Sequence, residues 1–498
     1  MKKTIVLYPG LFASHFFPMM QLADVLLDEG YAVAVALIDL TLAQDAALSS
    51  AVDRVAAAKP SLAIHRLPRI HDPPAAADAA GGEPLLWYFE VVKRYNERLL
   101  EFLRSLPPKT IHAVVIDAPS VAALDVAREI GVPAYTFYAA NASAAAVFFQ
   151  LPWFPRATAA GDGDGQPRRS FKDLGDAPVE FRGVPPMPAS YLMRETLLDP
   201  DTEIYKAMME AMRRNAEDAD GVLVNTFASL EPRAVEALRD PQLLPPAAAG
   251  GERRTPPPVY CVGPLVAAGT EGEDKKHECV AWLDTQPDRS VVFLCFGSIG
   301  AVTHSAEQIR NIAAGLWSSG HRFLWVVRAP LPVGSDGERL FDPRADADLD
   351  ALLPAGFLEN TEGRGLVVKH WAPQLEVLRH RATGAFVTHC GWNSALEGIT
   401  AGVPMLCWPM YAEQKMNKVV MVEEVGVGVE MAGWEQGMVT AEEVEAKVRL
   451  VMESEEGERL RERVAAHRDA AVAACKAGGS SRVEFGQFLA DAANLRRE

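Results

Sequence analysis

Short apolar runs separated by longer helix-like stretches recur from the first residues onward. TIVLY (4–8), AVAVALI (32–38), AVVI (113–116), AYTFY (134–138) and GVLVN (221–225) are compact, β-branched and evenly apolar, as expected of strands buried on both faces. Strands alternating with helices predict a parallel α/β sheet. A second series follows with VVFLCF (291–296), FLWVV (323–327), LVVK (366–369), AFVT (385–388) and MLCW (405–408). Between the two series, LPPAAAGGERRTPPP (244–258) concentrates Pro, Gly and Ala and cannot sustain a helix or a central strand. The pattern therefore predicts two facing, doubly wound, Rossmann-like domains with a ligand cleft at the carboxyl ends of their strands. The expected division is 1–245, a linker at 246–258, a second domain at 259–476 and a C-terminal segment, 477–498, packing back on the first domain. The stretches 157–178 and 330–350 lack periodicity and read as surface loops.

Composition narrows the picture. The chain has 498 residues, 49% hydrophobic and 23% charged, an ordinary globular mix. Its net charge of −17 disfavours polyanions, so no nucleic-acid partner is expected. The six cysteines show no metal-ligand spacing and read as reduced thiols of a cytoplasmic protein. Pro9, Gly10, Ser14 and His15 interrupt the first apolar run, which favours a strand and turn over a signal peptide. The uncharged stretch 130–155 contains Pro133, Asn141 and Pro152 and reads as buried strand and helix, so no integral membrane segment is expected. Trp282, Trp317, Trp325 and Trp408 fall in apolar periodic stretches and are expected in the core.

The densest candidate chemistry lies in WAPQLEVLRHRATGAFVTHCGWNSALEGITAGVPMLCWPMYAEQ, Trp371 to Gln414. Here a buried strand, AFVT, runs into the turn His389-Cys390-Gly391 and then a helix. A helix N-terminus presents free backbone N–H groups and the positive end of a dipole, which suit a diphosphate. Trp371 follows a strand where an indole can stack on a flat base, and Glu413-Gln414 offer groups for sugar hydroxyls. Ser394 to Glu397 has capping-box spacing, so Glu397 has a competing structural role.

This stretch resembles, without a gap, the signature box of plant family-1 UDP-dependent glycosyltransferases, and FGS (296–298), LPAGF (353–357) and GGSS (478–481) extend the likeness. The resemblance implies a GT-B type fold and an enzyme, a hexosyltransferase of the UDP-glucosyltransferase kind. It places uracil on Trp371, with Ala372 and Gln374 at the base or ribose and Glu397 on the ribose hydroxyls. His389, Asn393, Ser394 and Ser298 would hold the diphosphate; Trp392, Glu413 and Gln414 would contact the sugar. Gln414 at the end of the box accompanies glucose in this family. Ser14 and Ala139 depart from the pattern, standing where many relatives have Gly and Ser or Thr.

An acceptor hydroxyl attacking the anomeric carbon needs a base. His15, after the first strand, is the candidate, with Asp117 at the end of AVVI fixing its tautomer. Asp117 could instead cap the following helix. Strand-end position and the resemblance support the pair; local spacing does not. The expected reaction inverts the anomeric centre, giving a β-glucoside with UDP-glucose as co-substrate and no cofactor or metal. Asp346 and Asp348 have D-x-D spacing but read as solvated loop. The acceptor is expected to be small, apolar and phenolic, flavonoid-like, with Phe12, Phe16, Trp87, Phe148, Phe149, Met187 and Tyr191 as candidate contacts. A terpenoid acceptor, another UDP-sugar, or a nucleotide-sugar-binding protein without turnover remain alternatives. A dinucleotide oxidoreductase would need a Gly-rich fingerprint that neither domain's first strand carries. The chain is expected to act as a monomer.

Overall fold

A computed structural model describes residues 2–38, 46–71, 73–74, 83–107, 109–154, 170–246, 254–267, 276–297, 303–330 and 347–495. The chain divides into two compact units, Met1–Leu265 with Ala474–Glu498, and Val266–Ala473. The first carries β1 (Thr4–Tyr8), β2 (Ala32–Ile38), β3 (Ala63–Leu67), β4 (Ile111–Asp117), β5 (Ala134–Tyr138), the short antiparallel pair β6 (Pro178–Val179) and β7 (Met187–Pro188), β8 (Gly221–Val224) and β9 (Val259–Cys261). Seven of these form one parallel sheet in the order β3-β2-β1-β4-β5-β8-β9. The second unit carries β10 (Val291–Cys295), β11 (Arg322–Val327), β12 (Gly365–Lys369), β13 (Thr383–Thr388), β14 (Met405–Cys407) and β15 (Gly428–Glu430). They form a parallel sheet in the order β12-β11-β10-β13-β14-β15.

In both sheets the order reverses beside the first strand of the unit, β1 or β10. Such a switch point opens a site at the carboxyl ends of the strands. His15 and Asp117 follow this rule in the first unit, and Gly297 and His389 follow it in the second. The units divide after Leu265, later than the 246–258 linker expected from composition. The reason is β9, whose Val259 pairs with Val222 of β8 and so completes the first sheet.

The first core joins Ile5, Leu7, Val35, Val115 and Phe137 from the sheet with Phe16, Met19, Met20 and Ala23 from the helix Ala13–Asp28. The helix Ser480–Leu495 contributes Phe485, Phe488, Leu489 and Ala492 to the same core. Its polar face is tied as well: Ser481 Oγ donates to the Gly263 carbonyl at 2.5 Å and Tyr260 Oη donates to Asp491 at 2.7 Å. In the second unit Trp325 and Trp408 are core residues, whereas Trp317 is 42% exposed and corrects the expectation that it would be buried. The stretch 130–155 forms β5 and the helix Ala142–Gln150 as far as it is described. Among the described residues no helix is long and apolar enough to cross a membrane. The candidates Ser298 and Asp346, with most of the loops 157–178 and 330–350, lie outside the described residues.

Candidate functional site

In the first unit the chemistry begins where β1 ends. Tyr8-Pro9-Gly10 leads into the helix Ala13–Asp28, so His15 sits in the first turn of that helix rather than in a loop as the sequence suggested. Helical spacing turns Phe16, Met19 and Met20 inward and leaves the His15 side chain 27% exposed. Asp117 is the last residue of β4, the strand beside β1, and is fully buried. Its carboxylate accepts from His15 Nδ1 at 2.8 Å on Oδ1 and 3.1 Å on Oδ2. It makes no side-chain cap on the short helix Ala118–Ser120, which removes the capping alternative. With Nδ1–H given to the carboxylate, the lone pair of the neutral ring is on Nε2.

The second unit builds a different site at the ends of β10 and β13. His389 follows β13 and is 6% exposed, and among the described residues its Nδ1 has no hydrogen-bond partner. Burial first, and the Arg328 charge second, push its pKa down to about 3. A Cβ added to Gly297 or to Gly391 would come within 2.5 Å of His389 Nε2. The ring edge is thus held between two side-chain-free turns, and Gly297 also has φ +84°. Cys390 takes φ +64°, and its carbonyl accepts from Asn417 Nδ2 at 2.9 Å, which pins the turn. The helix Trp392–Ala401 then starts at Gly391 with no side-chain cap, which points the positive end of its dipole toward this turn.

Around that helix end, Gln374 Nε2 donates to Ser394 Oγ at 2.9 Å and to Glu397 Oε2 at 2.6 Å. Glu397 therefore caps nothing: Ser394 lies inside the helix, and the capping-box reading does not hold. Burial raises the Glu397 pKa, and the bond from Gln374 and the Arg379 charge oppose that rise. Trp371 is 61% exposed, with the His277 ring in a T-shaped contact at 5.5 Å, so much of its aromatic surface is open to a ligand.

These arrangements suit a basic imidazole on one unit and a nucleoside-diphosphate cradle on the other, and likeness to known proteins agrees. The family described as UDP-glucoronosyl and UDP-glucosyl transferase matches residues 257–473. A Rosa hybrid cultivar protein named anthocyanidin 5,3-O-glucosyltransferase is 38% identical over 96% of this chain and 96% of its own length. The phloretin 2'-O-glucosyltransferase of Pyrus communis is 40% identical over 80% of this chain and 81% of its own. Among solved structures, Phytolacca americana UGT2, complexed with UDP-2fluoro-glucose and pterostilbene, aligns with a TM-score of 0.82 at 29% identity, covering 98% of this chain and 99% of that one. The chain belongs to the UDP-glycosyltransferase family. The two-sheet architecture is accordingly the GT-B fold.

Within this UDP-glycosyltransferase the remaining candidates divide. Ala372, Trp392 and Ser394 are buried, and Asn393 is half-buried. Gln414 is 2% exposed and its Oε1 accepts from the backbone of Met410 at 2.9 Å and Tyr411 at 3.0 Å. Its carbonyl oxygen is thereby used by its own turn, which leaves the amide N–H groups as its donors. Glu413 accepts from Asn417 Nδ2 at 3.3 Å.

Of the acceptor candidates, Phe12 and Phe148 are half-buried. Phe16 and Phe149 are fully buried, and Trp87, Met187 and Tyr191 are 2%, 1% and 7% exposed. Phe16 belongs to the core, and Trp87 gives its indole N–H to the Pro74 carbonyl at 2.8 Å. An aromatic run in sequence signals core as readily as binding wall, and the burial of Phe16, Trp87 and Phe149 is what core packing gives.

Two contributors were missed. Tyr88, on the helix Pro84–Ser105, lies 3.2 Å from Asp117 Oδ2 through its hydroxyl. Gly10 makes room for both, since a Cβ there would stand 2.1 Å from Asp117 Oδ2 and 2.3 Å from Tyr88 Oη. The Pro9-Gly10 turn just before His15 is the sequence signal that could have found Gly10.

Proposed function

We propose that the chain transfers glucose from UDP-glucose to a hydroxyl of a small phenolic acceptor with inversion, giving a β-glucoside. The observation that carries this reading is the bond from His15 Nδ1 to the buried Asp117 carboxylate, which leaves Nε2 as the base. As the acceptor oxygen bonds to the anomeric carbon, its proton passes to His15 Nε2 and the bond to the UDP oxygen breaks. Asp117 stabilises the imidazolium that results.

The departing diphosphate gains negative charge, and the uncapped helix at Trp392, with His389, Asn393 and Ser394, supplies donors for it. The uracil stacks on the open face of Trp371, and Glu397, oriented by Gln374, accepts from the ribose hydroxyls. Glu413 and the amide N–H groups of Gln414 meet the sugar. Phe12 and Phe148 provide the aromatic surface for the acceptor, a role consistent with relatives named for anthocyanidin and phloretin.

The test is incubation of the purified chain with UDP-glucose or UDP-galactose and a panel of flavonoids, dihydrochalcones, stilbenes and terpenoid alcohols, reading UDP release and the anomeric coupling of the product by NMR. Acceptor-dependent release from UDP-glucose with a β-linked phenolic product is expected. Release only with a terpenoid, preference for UDP-galactose, or an α-linked product each contradicts the proposal at a different point.

A further inference from the structure

An ionised carboxylate as deeply buried as Asp117 needs donors on its oxygens. His15 supplies one, and the second comes from Tyr88, whose Oη is 3.2 Å from Oδ2. The same Tyr88 oxygen lies 2.8 Å from Ser120 Oγ, also fully buried. A phenol has one proton and the carboxylate has none to give. Every oxygen is satisfied when Tyr88 donates to Asp117 and Ser120 donates to Tyr88. The result is a directed chain, Ser120 to Tyr88 to Asp117, ending opposite the His15 ring, and polarisation along such a chain strengthens each link.

The Tyr88 ring has a second duty. It stacks on Phe12 with centroids 5.2 Å apart and 1° between planes, and Phe12 in turn lies 5.5 Å from the His15 ring at 57°. One buried side chain thus braces both the carboxylate behind His15 and the aromatic ring beside it.

We propose that Tyr88 is a positioning residue for the transfer reaction, its hydroxyl fixing the Asp117 carboxylate so that His15 takes the acceptor proton from one orientation and at one basicity. This rests on the reading of His15 as the base. The other titratable groups close by are phenols: Tyr138 from β5 is influenced by the Asp117 charge, and Tyr8 from β1 interacts with Tyr88. Burial holds Tyr8, Tyr88 and Tyr138 well above the usual phenol range. None of these phenols changes charge near neutral pH.

Removing the Tyr88 hydroxyl has two consequences. More of the carboxylate's charge is directed at His15, which favours the imidazolium and moves the acidic limb of kcat/KM to higher pH. The carboxylate also loses its fixed angle, which lowers kcat.

The experiment compares Tyr88→Phe, Tyr88→Leu, Ser120→Ala and His15→Ala with the wild type. Tyr88→Phe keeps the stack on Phe12, and its kcat is expected to fall roughly 10-fold, with the acidic limb displaced upward and KM for UDP-glucose unchanged. Tyr88→Leu, which removes the ring as well, falls further. Ser120→Ala moves the limb the same way by less, and carries the test if the Tyr88 variants do not fold. An unmoved acidic limb in Tyr88→Phe, or in Ser120→Ala where only that variant folds, overturns the proposal, whether kcat stays at the wild-type value or drops equally at every pH. His15→Ala separates the two failures: if it turns over normally the base reading is wrong, and if it is inactive while Tyr88→Phe behaves as wild type, only the role of Tyr88 is wrong.

Discussion

His15 and His389 both stand where a strand hands over to a helix at the carboxyl edge of a parallel sheet, yet their surroundings differ in almost every respect. His15 is partly open and gives one ring nitrogen to a buried carboxylate. His389 is closed in, has no partner at Nδ1 among the described residues, and is pushed down to about 3 by burial and by Arg328. A ring beside a carboxylate can accept a proton and be stabilised as a cation; a desolvated ring beside a cation cannot. The same residue type therefore suits the proposed proton transfer in the first unit and the proposed neutral hydrogen bonding to a ligand in the second.

The sharpest way to break this contrast is to remove the charge behind His15. Asp117→Asn keeps the size of the side chain but no longer compensates an imidazolium and permits the wrong tautomer. It is expected to lower kcat by roughly 10²- to 10⁴-fold while UDP-glucose affinity, measured by calorimetry, stays near wild type. In the second unit Gly297→Ala should act on affinity instead. Its φ of +84° and the 2.5 Å approach to His389 Nε2 force the turn or the ring to move, and the Kd for UDP-glucose should rise by about 10- to 100-fold. Normal affinity in that variant would remove His389 from the donor site.

Trp371→Ala is expected to cost less. Loss of one aromatic platform for a base is worth about 1–3 kcal/mol, so KM for UDP-glucose rises several-fold or more with little change in kcat. The smallest effect is on stability. His389 and His304 ionise near 3 and 4 in the folded chain, against 6.5 for the free group. The unfolded chain therefore binds protons first. The stability these residues contribute is complete above about pH 6.5 and is lost as pH falls toward their folded values. Thermal melts taken across that window should show the second unit weakening, and His304→Phe should flatten the trend.

The same contrast explains what could be read from sequence. Strands buried on both faces announce themselves as apolar runs, and AVAVALI appears as β2 with both limits intact. The strands β3, β9 and β15 lie at or beside sheet edges and were not foreseen. β3 is AIHRL, with one buried side chain, and β9 and β15 have three residues each, too short for a periodic signal. With no periodic signal from β9, composition puts the unit boundary before that strand, whereas the units divide after Leu265. In the second unit, one continuous stretch contains Trp371, Gln374, His389, Ser394 and Glu397, so the proposed donor cradle is legible as a block. In the first unit, His15, Tyr88 and Asp117 come from three separate elements, and only the fold brings them together. Tyr88 reads in the sequence as one of the aromatics of the segment 86–89 suited to an acceptor, and nothing local marks its hydroxyl as a partner for a carboxylate. Phe16 illustrates the reverse error, a core residue beside His15 that sequence position alone made a candidate for the acceptor wall.

A paired measurement of UDP-glucose affinity and acceptor-dependent UDP release in His15→Ala and His389→Ala tests the two assignments most directly. The expected result is a separation: His15→Ala binds UDP-glucose like the wild type and releases UDP at least roughly 100-fold more slowly, by the loss of a general base, whereas His389→Ala binds UDP-glucose more weakly. Turnover at the wild-type rate in His15→Ala, or undiminished affinity in His389→Ala, would contradict the assignment of the two histidines.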